Sequence, residues 1–285
     1  MTARRRLDAE LVRRSIVASR ESARREVEAG NVLVGGSIAT KPARLVLASD
    51  AIELVGQPPP FVSRAGGKLA GALATFGVDP AGLHCLDAGS STGGFTDCLL
   101  QAGAARVDAV DVGTHQLHER IRANPLVVVR EQTDIRTVTL DMIDGPVDLV
   151  VGDLSFISLR VVLDTLVGLA KPGSDLLLLI KPQFEAGKQE ASKTKGIIRD
   201  PEIWRRVIQE VSAASSVAGA GMMNLMTSPV RGTAGNTEFI GRFVVGAAGV
   251  ADLDALLDDV IGHRVLTGDG DGDGASASPT AEAGA

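Results

Sequence analysis

The stretch CLDAGSSTGGFTDCLL, residues 85–100, decides the fold of this chain. A short apolar run ends at Asp87, glycines follow at positions 89, 93 and 94, and an apolar helical pattern begins near Phe95. Strand, glycine turn and helix in this order are typical of the first crossover of a doubly wound sheet, where glycines let the backbone approach a ligand closely. The spacing differs from the G-x-G-x-x-G of dinucleotide-binding proteins, and it favours an uncharged aminoacyl nucleoside over a pyrophosphate.

Strand and helix patterns continue to alternate through the rest of the chain. Pro201 stands at the first turn of a predicted helix, residues 201–217. This alternation predicts an α/β, Rossmann-like fold with a mostly parallel sheet and helices on both faces, whose ligands bind outside the carboxyl ends of the strands. The predicted strand cores are residues 85–86, 107–110, 127–129, 149–151, 176–180, 222–226 and 239–245.

Acidic residues stand at the ends of several predicted strands. Asp111 ends the second strand, where a carboxylate can bind both ribose hydroxyls of an adenosine, and Asp134 follows the third, where it can bind the adenine edge. These positions predict a site for a nucleoside-type cofactor, although the glycine turn alone would also fit a purely structural role. The candidate cofactor-binding residues are Asp87, Gly89, Ser90, Ser91, Thr92, Gly93, Gly94, Phe95, Asp111, Val112, Asp134, Ile135 and Asp153.

Two opposite charges end the next two predicted strands. Asp153 follows the strand core 149–151, and Lys181 ends the apolar run LLLLI at residues 176–180. Neighbouring parallel strands bring their carboxyl ends together, so we expect the two charges to converge beside the cofactor. The alternative is a partly buried salt bridge with a structural role only.

The first 56 residues differ in character from the rest of the chain. Residues 1–30 contain eight arginines and five acidic residues, although the whole chain has a net charge of −6. Their pattern predicts two short helices and a small hairpin, which we interpret as a domain that binds a polyanion, with a solvated helix face as the simpler alternative. Three consecutive prolines predict a linker at residues 57–63, and the low-complexity segment 267–285 is predicted to be disordered.

Several classes of protein find no support in the sequence. No aliphatic run reaches the roughly 18 to 20 residues of a membrane-spanning helix, and the N-terminus lacks a hydrophobic signal region. Cys85 and Cys98 form no CxxC pair and no metal-ligand spacing with the four histidines. We therefore expect a cytoplasmic protein without a bound metal and without a membrane partner.

Six motifs, taken in order, resemble those of a known family. They are RAGGKLAGAL, LDAGSSTGGFTD, VDVG, DLSFISL, KPQFEAG and GNTEF, and they extend over nearly the whole chain. By these motifs the chain resembles the TlyA family of bacterial ribosomal RNA 2'-O-methyltransferases, some of which are named haemolysins. The resemblance implies an S-adenosylmethionine-dependent methyltransferase domain of the FtsJ type at residues 64–266, after an RNA-binding domain like that of ribosomal protein S4 at residues 1–56.

The same resemblance implies a catalytic set of two lysines and two acids. A ribose 2'-hydroxyl is a poor nucleophile, so the enzyme must position it and accommodate its proton. Lys181 is expected to act as the base or to stabilise the developing alkoxide, and Asp153 to orient it. The family motifs assign the set to Lys68, Asp153, Lys181 and Glu238.

The implied partner is ribosomal RNA or a ribosomal subunit, with a cytidine as the expected target. Guanidinium groups match phosphate geometry, so arginines are the candidates for backbone contacts. Because the chain contains one tryptophan and no tyrosine, we expect recognition mainly by shape, with Phe156 stacking on a flipped base. The candidate RNA-binding residues are Arg4, Arg6, Arg14, Arg20, Arg24, Arg64 and Phe156.

Three other functions are alternatives for this sequence. A dinucleotide-dependent oxidoreductase would share the fold, but the glycine spacing disfavours it. A non-catalytic ribosome assembly factor would use the fold only to bind RNA. A membrane-active haemolysin, suggested by the family's second name, would be expected to have an export signal or a membrane-length segment, and the sequence shows neither.

Overall fold

The elements of the chain fall into an N-terminal group and a larger C-terminal group. The computed structural model describes residues 4–55, 60–194, 196–232 and 235–266. The N-terminal elements are β1 (Arg5–Arg6), α1 (Leu7–Arg13), α2 (Arg20–Glu28), β2 (Val32–Val34), β3 (Ser37–Ile38), β4 (Leu45–Val46) and β5 (Ile52–Leu54). The C-terminal elements are α3 (Ala65–Phe76), β6 (His84–Ala88), α4 (Gly94–Gln101), β7 (Arg106–Val110), α5 (Glu119–Arg122), β8 (Val127–Arg130), β9 (Val147–Gly152), α6 (Leu163–Gly168), β10 (Ala170–Ile180), α7 (Pro182–Glu185), α8 (Lys188–Lys193), α9 (Pro201–Ala218), β11 (Ala220–Thr227), β12 (Phe239–Val245) and α10 (Leu253–Leu266).

A seven-stranded sheet with the order β11-β12-β10-β9-β6-β7-β8 lies at the centre of the C-terminal group. Strands β10, β9, β6, β7 and β8 run parallel to one another, whereas β12 is antiparallel to both β10 and β11. The chain runs outward from β6 to β8 and then returns to β9 on the other side of β6. The strand order therefore reverses between β6 and β9, which is where doubly wound folds bind their ligands.

Aliphatic residues bury both faces of this sheet. Residues 176–180 of β10 are each at most 1 % exposed, as expected for a central strand covered on both sides. One face packs against α6 and α9, including Trp204, and the other packs against α3 and α4, including Phe95. Burial of each large aliphatic side chain stabilises the fold by about 1.5–3 kcal/mol. The packed core therefore holds the strand ends in fixed positions at the edge of the sheet.

The N-terminal group has an apolar core of its own. Leu7, Leu11 and Val27 are fully buried in it. Helix α2 begins after Ser19, whose hydroxyl accepts a hydrogen bond from the Ser22 amide and so caps the helix. Strand β2 pairs antiparallel with both β3 and β5, which completes a small three-stranded sheet beside the two helices.

The predicted α/β fold with a mostly parallel sheet is confirmed, and the main difference is the length of one strand. β10 begins at Ala170 rather than near residue 176, because an irregular register between Ala170 and Asp175 lets the strand pair early with β9. Residues 57–59 of the predicted linker and the whole predicted tail, 267–285, lie outside the described residues. The domain boundaries at residues 56 and 266 stay predictions. None of the described helices is long and apolar enough to cross a membrane.

Candidate active site

Three charged side chains meet at one edge of the sheet because of its topology. Asp153 directly follows β9, and Lys181 directly follows the neighbouring parallel strand β10. β12 runs in the opposite direction, and its first residue, Phe239, pairs with Ile180. Glu238 therefore reaches the same edge, although it comes before its strand rather than after it.

The four residues assigned to the catalytic set form a continuous chain of ion pairs. Lys181 Nζ lies 2.5 Å from Asp153 Oδ1, and Lys68 Nζ lies 3.4 Å from Asp153 Oδ2. Lys68 Nζ also lies 2.7 Å from Glu238 Oε2. Lys68, Lys181 and Glu238 are 6 %, 6 % and 3 % exposed, respectively. Two positive and two negative groups compensate one another, as charges removed from water require.

Two further side chains contact this chain of ion pairs and were not among the predicted site residues. Ser155 accepts a hydrogen bond from Lys181 Nζ at 2.8 Å. Gln183 donates from Nε2 to Glu238 Oε1 at 3.4 Å. Both lie in two of the motifs identified in the sequence, Ser155 in DLSFISL and Gln183 in KPQFEAG. Only the tertiary structure shows which polar residues of these segments turn toward the charges.

The turn after β6 makes the close approaches that its glycines allow. Gly89 adopts φ +84°, and a Cβ there would lie 3.1 Å from the Asp153 carbonyl oxygen. Ser91 donates its amide to Asp111 Oδ2 at 2.8 Å, which ties the turn to the end of β7. The backbone of the turn therefore passes directly beside the charged edge. Of the other predicted residues here, Ser90, Gly93, Gly94 and Phe95 are buried, and Thr92 is exposed.

Asp87 gives the clearest sign of a ligand. Its side chain is fully buried, Thr96 donates its hydroxyl to Oδ2 at 2.6 Å, and Oδ1 has no hydrogen-bond partner among the described residues. Burial raises the pKa of this carboxyl to about 7. Buried polar atoms are nearly always paired, so Oδ1 fits a hydrogen-bond donor that a bound molecule supplies.

Asp111 lies at the end of β7 with both carboxylate oxygens bound to the backbone. Oδ2 accepts the Ser91 amide at 2.8 Å, and Oδ1 accepts the Gly113 amide at 2.7 Å. A carboxylate has about four acceptor positions, so Asp111 keeps the capacity to bind two ribose hydroxyls. Beside it, Val112 is 71 % exposed and offers an apolar surface to a ligand.

The two predicted contacts to an adenine have other roles in the fold. Asp134 begins a short 3-10 helix after β8, and a hydrogen bond from the Arg136 side chain lowers the pKa of its carboxyl to about 2. Ile135 is 5 % exposed and packs into the core. A contact of either residue with a cofactor stays a prediction.

Phe156 is an exposed aromatic residue with an unusual backbone conformation. It is 92 % exposed and adopts φ +65°, a left-handed conformation that side chains larger than glycine rarely occupy. Its ring centroid lies 5.3 Å from that of Phe184, and Lys181 Nζ lies 5.8 Å from the Phe184 ring. Strained residues of this kind cluster at functional sites, and this one stands next to the charged edge.

Glu185 holds the loop that contains Phe156 against the segment that contains Lys181. Its buried carboxylate accepts hydrogen bonds from the Ser158 hydroxyl at 2.5 Å and from the Leu159 amide at 2.7 Å. Burial raises the pKa of Glu185, and the hydrogen bonds oppose this shift. Glu185 was not predicted as a site residue, because its position in KPQFE does not reveal its partners.

The predicted RNA-binding arginines divide into different environments. Arg4 and Arg64 are exposed. Arg14 donates to Glu10 and also to the backbone carbonyls of Leu47, Ala48 and Asp50, so it holds a loop of its own domain together. The remaining three, Arg6, Arg20 and Arg24, form ion pairs with Asp8.

Comparison with known proteins assigns both parts of the chain. Residues 61–243 match the FtsJ-like methyltransferase family, and residues 5–52 match the S4 domain. The 16S/23S rRNA (cytidine-2'-O)-methyltransferase TlyA of Mycobacterium tuberculosis is 45 % identical over 240 residues, which cover 84 % of this chain and 89 % of the relative. The chain belongs to the TlyA family of FtsJ-like methyltransferases.

Two further comparisons agree with this TlyA-family assignment. The 23S rRNA (cytidine-2'-O)-methyltransferase TlyA of Campylobacter jejuni is 34 % identical over 70 % of this chain and 77 % of the relative. A solved structure of a candidate hemolysin from Streptococcus thermophilus is 33 % identical, superposes with a TM-score of 0.73, and covers 94 % of this chain and 98 % of that chain. The predicted family, fold and enzyme class are confirmed: this TlyA-family chain is a methyltransferase with an S4 domain at its N-terminus.

Within the described ranges, no group of three or more His, Cys, Asp or Glu side chains is arranged to hold a metal ion.

Proposed function

We propose that this TlyA-family enzyme transfers the methyl group of S-adenosylmethionine to the 2'-hydroxyl of a cytidine in ribosomal RNA, in the cytoplasm. The observation behind the proposal is the buried chain of ion pairs from Lys181 through Asp153 and Lys68 to Glu238. A lysine held by a carboxylate beside a cofactor crevice suits a reaction in which a hydroxyl oxygen gains negative charge. The names of the TlyA relatives support the cytidine 2'-oxygen as the acceptor.

The side chains around the glycine turn fit S-adenosylmethionine. When bound, this cofactor supplies an electrophilic methyl group on a positively charged sulfur. Oδ1 of Asp87 suits a donor on the amino-acid part, and Asp111 suits the ribose hydroxyls. Gly89 leaves open the space in which a side chain would meet the Asp153 carbonyl. The chain therefore offers partners for the amino-acid part and the ribose of the cofactor.

Lys181 is the residue that we expect to act on the acceptor hydroxyl. Lys181 has two alternative roles. As a neutral amine, Nζ would take the proton that the hydroxyl loses; as an ammonium, it would stabilise the negative charge that the oxygen gains. Asp153 and Ser155 hold Nζ at 2.5 Å and 2.8 Å, so the group is oriented before the substrate arrives. Such preorganisation removes the need to reorder the site during the reaction.

Lys68 and Glu238 complete the charge balance and are expected to hold the ribose. Lys68 bridges Asp153 and Glu238, so Asp153 is shared between the two lysines. Gln183 contacts the other oxygen of Glu238 and limits its rotation. In this arrangement each lysine has a carboxylate partner, and no charge is left without compensation.

We further propose that Phe156 stacks on the base of the target nucleotide. Its ring is 92 % exposed and lies against Phe184, whose ring is 5.8 Å from Lys181 Nζ, so a base placed on Phe156 would bring its own ribose toward the lysine. Stacking is sequence-tolerant and is worth about 1–3 kcal/mol per base. The S4 domain supports binding to the RNA backbone through its arginines.

The proposal is tested by transfer of a labelled methyl group from S-adenosylmethionine to small and large ribosomal subunits that lack the modification. We expect label at one position in the RNA, where the modified ribose resists alkaline hydrolysis. Label in protein or on a base would contradict the proposal. Binding of both cofactor and subunits without transfer would instead favour a non-catalytic assembly factor.

A further inference from the structure

A buried carboxylate lies beneath three arginines of the N-terminal domain. Asp8 is fully buried, yet Arg6 donates to it from Nε at 3.0 Å and from Nη2 at 2.9 Å. Arg20 Nη2 lies 3.2 Å from Asp8 Oδ2, and Arg24 Nε lies 3.8 Å from the same oxygen. The Ala9 amide also donates to Oδ1, which fixes the carboxylate at the start of α1.

The three arginines come from different parts of the chain but converge on one side. Arg6 belongs to β1, whereas Arg20 and Arg24 are four residues apart on α2 and so project from the same face of that helix. Their side chains are 44 %, 56 % and 56 % exposed. Each guanidinium has five N–H donors, and Asp8 uses only some of them. An anion approaching from solvent would therefore meet guanidinium groups, not the carboxylate below them.

We propose that Asp8 is a positioning residue that assembles Arg6, Arg20 and Arg24 into one binding site for a phosphate of the RNA backbone. The inference rests on the proposed function, because it takes ribosomal RNA as the partner. A single negative charge beneath three positive ones leaves the cluster positive while it cancels most of the repulsion among the guanidiniums. The arginines are thereby ordered before RNA binds, which lowers the entropic cost of binding.

The second buried carboxylate of α1 serves as an internal comparison. Glu10 is also fully buried, and it pairs with Arg13 and Arg14. Arg14 uses its remaining donors on backbone carbonyls of residues 47, 48 and 50, so this pair stabilises the domain itself. Of the two buried carboxylates of α1, Asp8 is therefore the one whose arginines keep donors free at the surface.

The test compares RNA binding by the full-length protein and two variants that change the net charge equally. Asp8→Asn and Glu21→Gln each remove one negative charge, but Glu21 is exposed and pairs only with Arg25 among the described residues. If charge alone mattered, both variants would bind RNA more tightly. We expect Asp8→Asn to bind unmodified 16S and 23S transcripts roughly fivefold more weakly, and the salt dependence of its affinity to fall by about one unit of log–log slope.

A second pair of variants covers the case in which Asp8→Asn fails to fold, as judged by circular dichroism. Arg20→Ala and Arg25→Ala both remove one arginine from α2, yet Arg20 contacts Asp8 whereas Arg25 contacts Glu21. We expect Arg20→Ala to lose at least twice as much RNA affinity as Arg25→Ala, in parallel with a smaller salt slope. Equal losses in this pair would overturn the inference.

A folded Asp8→Asn protein that binds RNA as tightly as the wild type, or more tightly, would also overturn the inference. The reaction is measured separately, by methyl transfer from labelled S-adenosylmethionine. If the wild type binds RNA through this cluster but transfers no methyl group, the proposed reaction fails and the phosphate site stands. If the wild type transfers methyl groups and the variants bind RNA equally, only the phosphate site fails.

Discussion

Lys68 Nζ lies 2.7 Å from Glu238 Oε2, although 170 positions separate the two residues in the chain. Lys68 belongs to α3, the first helix of the C-terminal group, and Glu238 stands directly before β12, the last strand of the sheet. Both residues are almost completely buried. The charged edge of this methyltransferase is therefore assembled only when the beginning and the end of the domain have come together.

Removing one partner of this pair should cost more stability than removing both. Glu238→Gln leaves the buried Lys68 with only its shared contact to Asp153, so we expect the free energy of unfolding to fall by about 3 kcal/mol or more. Lys68→Met combined with Glu238→Gln should recover part of this loss. Urea denaturation of the two single variants and the double variant measures the coupling, and strictly additive losses would show that the two residues do not interact.

Truncation of Phe156 should reduce activity without destabilising the fold. The ring is exposed, so Phe156→Ala removes a stacking surface but few buried contacts, and we expect kcat/KM for RNA to fall roughly tenfold. Val217 is also exposed but lies far along the chain on α9, so the control variant Val217→Ala should leave the activity unchanged. Full activity in Phe156→Ala would exclude a stacking role.

The backbone conformation of Phe156 leads to a separate expectation. Because φ is +65°, a glycine adopts this conformation without strain whereas an alanine adopts it only with strain, so Phe156→Gly should unfold at a higher temperature than Phe156→Ala. Thermal unfolding of the two variants tests this. The reverse order would mean that the loop relaxes to a different conformation when the ring is removed.

Glu185 should influence catalysis through the loop that it holds. In Glu185→Ala the Ser158 hydroxyl and the Leu159 amide lose their acceptor, so we expect a lower kcat with nearly unchanged affinity for S-adenosylmethionine. Glu210→Ala is the matched control, because both carboxylates pair with Arg160, the buried Glu185 at 3.5 Å and the more exposed Glu210 at 2.7 Å. Equal kcat values for the two variants would show that the loop does not depend on Glu185.

Asp87 should make the stability of the cofactor-free protein depend on pH. Burial raises the pKa of its carboxyl from 3.8 to about 7, so the folded protein holds this proton more tightly than the unfolded chain. Its contribution to stability is full below about pH 4 and is lost as the pH rises to about 7, by up to about 1.4 kcal/mol per pH unit.

Asp87→Asn removes this titration and isolates its effect. Relative to the wild type, the variant should become progressively more stable between about pH 4 and 7, and the difference should level off above that range. Urea denaturation at several pH values measures it. A constant difference across the range would mean that Asp87 is already charged at low pH in the folded protein.

Much of the fold followed from local patterns in the sequence. The strand cores, the glycine turn and Asp111 could be predicted because each depends on hydrophobic periodicity or on the steric limits of the backbone near one residue. Strand ends also predicted that Asp153 and Lys181 would converge. The position of Glu238 is different, because it depends on β12 running antiparallel beside β10.

Other features depend on side-chain orientation and could not be predicted in this way. Ser155, Gln183 and Glu185 lie in marked segments, but their contacts are set by how two loops pack together. The arginines near the N-terminus were identified by composition, yet composition does not show which of them share a buried carboxylate. From the sequence, Asp8 only reduces the net positive charge of the N-terminal domain. In the structure its buried carboxylate pairs with Arg6 and Arg20 of the positive cluster.

The role of Lys181 is tested by comparing methyl transfer by Lys181→Ala and Lys171→Ala. Each lysine lies at one end of β10 and pairs with an aspartate. Lys171 is at the start of the strand and is half-exposed, whereas Lys181 directly follows its last residue and is buried. We expect Lys181→Ala to bind S-adenosylmethionine and ribosomal subunits yet lose transfer by at least about a hundredfold, while Lys171→Ala keeps wild-type rates. Transfer by Lys181→Ala within a few-fold of the wild type would show that Lys181 is not a catalytic residue.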